Sequence, residues 1–240
     1  MAEKRFYREL YGAKDLVYFS IKVEQTDLDI GARSMLRQEA LQLVKRYRSD
    51  IEAYIRKDNS FLTSLVPIKC LPNAPAIVRR MCDAAQKAGV GPMAAVAGAI
   101  SEFVGMGLLQ YSPEVIVENG GDIFLKSSSQ RVISIFAGTS PLSQKVGIKI
   151  PAEDTPIGVC TSSGKIGHSL SFGRADAVVV LSRDAALADA AATAVGNAVK
   201  TGDEIEKGIH LARRIPGVLG VVIVVDDRIG AWGKVQLVKL

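Results

Sequence analysis

Cysteine is scarce in this chain of 240 residues, neither sign of charge dominates any stretch of it, and no long apolar run is clean enough to cross a membrane. Each absence excludes something. The three cysteines, Cys70, Cys82 and Cys160, form no C-x-x-C pair and leave no second half for a zinc site, so the expected state is reduced thiols in a cytoplasmic setting. The start, Met1-Ala2-Glu3-Lys4-Arg5, leads into mixed polar sequence rather than an apolar core, which predicts no secretory signal. Thirty basic against 25 acidic side chains give +5. The densest cluster, Lys45, Arg46 and Arg48, has Asp50 and Glu52 beside it and reads as a solvated helix face, so no nucleic-acid binding is expected. Val90 to Leu109 is about long enough for a membrane span, but Pro92, its glycines and the lone charge of Glu102 mark it as a buried helix instead.

What the chain does have is apolar residues, 48% of the total, against 23% charged, enough for a large core. Leu16 to Val23 reads as a strand. Gly31 to Lys57 carries apolar residues at steps of three and four and reads as a long amphipathic helix. Turn formers punctuate a loop from Asp58 to Pro75. Helices follow over Ala76 to Ala88, closed by Gly89, and through the small-residue segment that begins at Gly91. From Val115 the period shortens toward two. Strands are predicted over Val115 to Glu118, Asp122 to Leu125, Arg131 to Phe136, Lys145 to Ile150 and Ile157 to Cys160, with hairpins between them. Ala175 to Leu181 and Val218 to Val225 are further strands around helices at Ala186 to Val199 and Glu204 to Arg214, and a final hairpin turns at Asp226-Asp227 and includes Ala231 to Leu240. Helices first and then a mostly antiparallel sheet with packed helices is an α+β pattern.

Three motifs could carry chemistry. Glu118-Asn119-Gly120-Gly121-Asp122 sets adjacent glycines beside a carboxamide and a carboxylate, which suits close approach of a phosphate or ring; Asn-Gly is equally the commonest hairpin turn. Cys160-Thr161-Ser162-Ser163-Gly164, with His168 shortly after, offers hydroxyl donors, a histidine for proton transfer and a thiol able to act as nucleophile or sulfur carrier. Against that stand a self-satisfied Ser/Thr turn, a structural imidazole and a buried apolar cysteine. Asp189 and Thr193, four apart on one helix face, can give two hard oxygens to Mg²⁺, or Asp189 can complement its own helix's dipole.

In this order and spacing the motifs resemble the ApbE family of flavin transferases, which move FMN from FAD to a target threonine with the help of Mg²⁺. Thr26-Asp27-Leu28, the Val90 to Gly98 segment and Gly167-His168-Ser169-Leu170-Ser171-Phe172-Gly173 resemble a short cytoplasmic branch of it, over essentially the whole chain. The resemblance implies one ApbE-like domain over residues 1–240, with FAD or FMN and Mg²⁺ as cofactors. Asn119, Gly120, Gly121 and Asp122 would face the nucleotide together with Thr161, Ser162, Ser163 and Gly164, Asp189 and Thr193 would hold the metal, and His168 would lie beside the reaction centre. Partners would be a nucleotide-like small molecule and a protein, in a chain free to form oligomers. After the histidine, the transferases' Asp-Pro and Thr-Gly pairs are replaced here by Ser169 to Gly173, of which only the glycine is kept. Similar proteins of anaerobic archaea and bacteria are linked to incorporation of reduced sulfur into homocysteine, which gives Cys160 a role as persulfide carrier. The resemblance thus implies first a flavin- or nucleotide-using cytoplasmic protein of sulfur assimilation, with Mg²⁺-dependent FMN transfer from FAD to a protein threonine as the alternative. A nucleotide-binding protein without chemistry of its own is the non-enzymatic alternative.

Overall fold

The computed structural model describes residues 15–164 and 173–240. Its centre is an eight-stranded sheet built from β1 (Val17–Val23), β2 (Thr26–Ala32), β3 (Val115–Asn119), β4 (Asp122–Lys126), β7 (Ile157–Ser162), β8 (Ala177–Ser182), β9 (Val218–Val225) and β10 (Arg228–Gly233), in that spatial order. Every adjacent pair is antiparallel. A second sheet of three strands has β6 (Val146–Ile150) between β5 (Arg131–Ser134) and β11 (Leu237–Lys239).

The helices α1 (Arg37–Lys57), α2 (Ser60–Thr63), α3 (Ala76–Ala88), α4 (Val96–Leu108), α5 (Ala185–Ala198) and α6 (Ile205–Arg214) complete the α+β architecture. Val178, Val180, Val221 and Ile223 belong to the helix-side core, while Val179, Leu181, Val222 and Val224 pack with Ile148 and Ile150 of the small sheet. Covering on both faces explains why β8 and β9 read as unbroken apolar runs rather than as alternating ones. Each fully buried valine there contributes about 1.5–3 kcal/mol.

The predicted long helix starts late. Residues 26–32 instead form β2, where Leu28 and Ile30 are buried beneath half-exposed Asp27 and Asp29. The turn ahead of it, Glu24-Gln25, requires Glu24 at φ 51. Glutamate rarely adopts that conformation, so nothing local announces the hairpin. The Asp58 to Pro75 loop contains the short α2, pinned by Phe61, which is buried against Tyr54. The last hairpin also differs. Residues 228–233 return along β9 from a turn at Asp226, but Leu237–Lys239 crosses to the small sheet.

Among the described residues no single helix is long and apolar enough to cross a membrane. The Val90 to Leu109 stretch is a 3-10 turn (Pro92–Ala95) followed by α4, bent by 105° from α3. Gly91 permits that bend, since a Cβ there would lie 2.7 Å from the Ser64 carbonyl carbon.

The expectation of reduced thiols fails for Cys70 and Cys82, which form a disulfide with Cα atoms 6.3 Å apart. It ties the irregular segment before α3 to that helix. The two cysteines stand 12 positions apart, so Cys70→Ser should cost about 3 kcal/mol by loop-closure entropy. Urea unfolding with and without reductant checks this: reductant should destabilise the wild type to the variant's level and leave the variant unchanged.

Candidate functional site

The β3–β4 turn is a two-residue hairpin, with Asn119 paired to Asp122 and both glycines at positive φ, 69° for Gly120 and 104° for Gly121. The turn and the site are therefore the same object. Its rigid geometry aims Asn119 and Asp122 at the helix layer, where both are buried. Asn119 Nδ2 donates to the Ala97 carbonyl (3.1 Å). One expected backbone donor is already engaged, because Gly121 N–H donates to Glu118 Oε1 (2.7 Å).

Asp189 reaches the same place from α5. Its Oδ2 accepts from Gly98 N–H (2.8 Å), with a further backbone hydrogen bond from Ala97. Asp189 thus complements a helix dipole, as its bland reading supposed, but that of α4 rather than its own. The close crossing that allows this depends on Gly98, where a Cβ would stand 2.8 Å from Asp189 Cβ. The small residues around Gly98 accordingly serve backbone-to-backbone packing of α4 on α5. Thr193 lies one turn beyond Asp189 on α5 and is half-buried.

Two carboxyls share this interior. Burial, and secondarily the charge of Asp189, push the Asp122 carboxyl well above the usual range, against hydrogen bonds from Cys160 and the Thr161 N–H. Asp122 Oδ1 has no hydrogen-bond partner. Burial likewise pushes Asp189, at the half-exposed mouth, up to about 7. Cations and protons are what such a pair lacks.

Cys160 stands beside Asp122 with no exposed surface, its Sγ 3.3 Å from the Ala185 carbonyl oxygen. Burial, together with Asp122 and Asp189, pushes its thiol well up. Both features oppose a nucleophilic thiolate, so the carrier role expected of Cys160 finds no support in the geometry; the residue behaves as a buried apolar side chain.

Along β7, strand alternation puts Ser162 on the side of Cys160 and Thr161 on the opposite face, with its Cβ 3.7 Å from where a Cβ on Gly121 would be. Ser162 is buried, whereas Thr161, Ser163 and Gly164 are half-exposed. Gly164 N–H donates to Ala175 O (3.0 Å), and Gly164 and Gly173 lie against each other. His168 lies outside the described residues.

The geometry therefore unites Asn119, Asp122, Cys160 and Asp189. Sequence reasoning missed the backbone of Ala97 and Gly98 as the surface these side chains grip. No local pattern marks it, since the contact joins positions 91 apart.

Among the described residues no three His, Cys, Asp or Glu side chains are grouped to hold a metal. The donors present, the carboxylate of Asp189 and the hydroxyl of Thr193 with the unpartnered Asp122 Oδ1 nearby, are hard oxygens that suit Mg²⁺ if phosphate and water complete its shell. A separate cleft of about 320 Å³, lined by Ile150, Leu181, Leu219 and Lys234 among others, contains none of the predicted site residues.

The family model described as AbpE bacteria matches residues 8–215. The chain belongs to this ApbE-like family. A UPF0280 protein of Methanococcus aeolicus is 47% identical over 206 residues, covering 83% of each chain. Another, from Methanocella arvoryzae, is 40% identical over 217 residues, 89% of this chain and 87% of its own. Among solved structures, the apo flavinyl transferase ApbE of Pseudomonas stutzeri superposes with a TM-score of 0.59 over 91% of this chain and 94% of its own, at 14% identity. The ApbE protein of Thermotoga maritima gives 0.56 over 90% and 96%, at 12% identity. At such identities the likeness is one of ApbE fold.

Proposed function

We propose that this ApbE-like protein binds FAD with Mg²⁺ where the β3–β4 turn meets the start of α4 and the Asp189–Thr193 face of α5, and transfers FMN from it to a protein hydroxyl. The observation that carries the reading is the carboxyl pair of buried Asp122 and half-buried Asp189, with Asp122 Oδ1 unpartnered. A site that holds a buried carboxyl beside a half-exposed one is suited to receive positive charge. Asp189 and Thr193 would hold the cation, with α4's N–H groups orienting the Asp189 carboxylate through Oδ2. Mg²⁺, when bound, supplies neutralisation of phosphate charge. Asn119 and the two glycines form a rigid turn at which a nucleotide can approach the backbone closely, with the Ser162 hydroxyl on the same side of the sheet as Cys160 and the Thr161 hydroxyl beside Gly121 on the other. His168 keeps the role that the family resemblance implies for it, proton transfer beside the reaction centre. A part in reduced-sulfur incorporation would have to use this same pocket rather than a persulfide on Cys160.

The test is incubation of purified protein with FAD, Mg²⁺ and a threonine-bearing acceptor protein. Flavin fluorescence that stays with the denatured acceptor, depends on Mg²⁺ and survives Cys160→Ala is the expected result. FAD bound but never cleaved would replace transfer with a carrier role, and absence of FAD binding would overturn the reading.

A further inference from the structure

Glu102 is the lone charge in the apolar stretch from Val90 to Leu109, and the structure gives it work inside the helix layer. It projects from α4 to the amino end of α5, where Oε2 accepts from Ala185 N–H (2.6 Å) and Ala186 N–H (3.4 Å). Oε1 accepts from Arg80 Nη1 of α3 (2.9 Å), and the same Nη1 lies 3.1 Å from Asp184 Oδ2. Asp184 caps α5 itself, accepting from Leu187 N–H (2.9 Å). The free N–H groups of the first turn of α5 are thus taken up by carboxylates, which closes that helix end to a phosphate.

Asp189 performs the same service in reverse, gripping the N–H groups of Ala97 and Gly98 at the start of α4. Two helices therefore cap each other reciprocally, Glu102 from α4 to α5 and Asp189 from α5 to α4. The two clamps are coupled through short rigid runs of helix, four residues on each side. We infer that Glu102 is a positioning residue for Asp189, fixing α5 along and about its axis so that the Asp189 carboxylate and Thr193 hydroxyl are presented together. This rests on the cation site proposed above, and it deepens that reading by naming what sets its geometry.

The electrostatics agree. Burial, then the charge of Asp184, push Glu102 up to about 7, while Arg80 and the two N–H donors pull it down. Arg80, Asp184 and the amino end of α5 are the charged groups facing it. Glu102 binds its proton more tightly in the folded protein than in the unfolded chain. The stability this gives is fully present below its ordinary value of 4.5 and is lost as pH rises through about 7.

Two variants and two readouts test the inference. In Glu102→Ala, hydrogen exchange at the Ala185 and Ala186 amides should quicken by about tenfold or more, the loss expected for one buried hydrogen bond, with the circular dichroism of the fold retained. Mn²⁺ affinity in the presence of FAD, read by electron paramagnetic resonance, should weaken by about the same factor. Glu102→Gln keeps an oxygen for the N–H groups, so its exchange and Mn²⁺ affinity should stay near wild type, while the fall in melting temperature between pH 5 and 8 becomes shallower. Unchanged exchange in Glu102→Ala, or quickened exchange with unchanged Mn²⁺ affinity, overturns the positioning role. If the wild type itself binds neither Mn²⁺ nor FAD, the proposed cation site fails and the positioning role falls with it, while the exchange result still decides whether Glu102 clamps α5.

Discussion

Asp189→Asn should abolish Mg²⁺-dependent flavin transfer while leaving the protein folded. The amide oxygen can still accept from Gly98 N–H, so the clamp on α4 survives in neutral form. The loss of a charge at a helix amino end, partly exposed, is worth about 1 kcal/mol. The loss at the reaction should be far larger, about a hundredfold or more in kcat/KM, because a cation that neutralises phosphate needs an anionic ligand. Asp189→Ala removes both roles and should add a stability loss that Asn does not show. The measurement is transfer rate against Mg²⁺ concentration alongside urea unfolding of both variants. Transfer in Asp189→Asn at the wild-type rate would remove Asp189 from the cation site and leave it as a helix cap only.

The second large effect is expected at Gly98. A Cβ there would lie 2.8 Å from Asp189 Cβ and inside contact with the backbone of Ala185. Neither neighbour is the tip of a flexible side chain, so α4 and α5 must separate. Gly98→Ala should therefore destabilise by about 3 kcal/mol, at the upper end for overpacking. For a protein of this size that is a fall in Tm of about 6–12 °C. Intrinsic helix propensity works in the opposite direction, since alanine is favoured over glycine in a helix by about 1 kcal/mol. A more stable Gly98→Ala would show that the crossing of α4 and α5 has slack, and would undo the account of both clamps. If the variant folds, its Mn²⁺ affinity should fall too, because separation of the helices withdraws Asp189 from its N–H partners.

Local signals explain which elements were legible. Pro75 before α3 and Gly89 at φ 74 after it bound a helix whose apolar spacing is plain. Asn119-Gly120-Gly121-Asp122 announces a hairpin because only residues tolerant of positive φ suit that turn. Glu24-Gln25 makes an equally tight hairpin without such residues, and β2 was hidden with it. The second sheet was hidden for another reason: β11 reaches β6 from far along the chain, through pairings such as Leu237 to Ile148.

The sequence by itself determined the α+β class, the hairpin at Asn119 to Asp122, the placing of Asp189 one turn from Thr193, and the family resemblance, since each depends on spacing within a few residues. Only the tertiary structure decided which groups share an interior. Cys160, a candidate nucleophile by its neighbours, is sealed beneath α5, and Asp189 caps a helix 91 positions away. Glu102, which by pattern only disqualified a membrane span, closes the amino end of α5 across 83 positions. A carboxylate's role follows from which N–H groups, charges and depth of burial surround it, and when α4 and α5 are brought together from distant parts of the chain, no local periodicity encodes that environment.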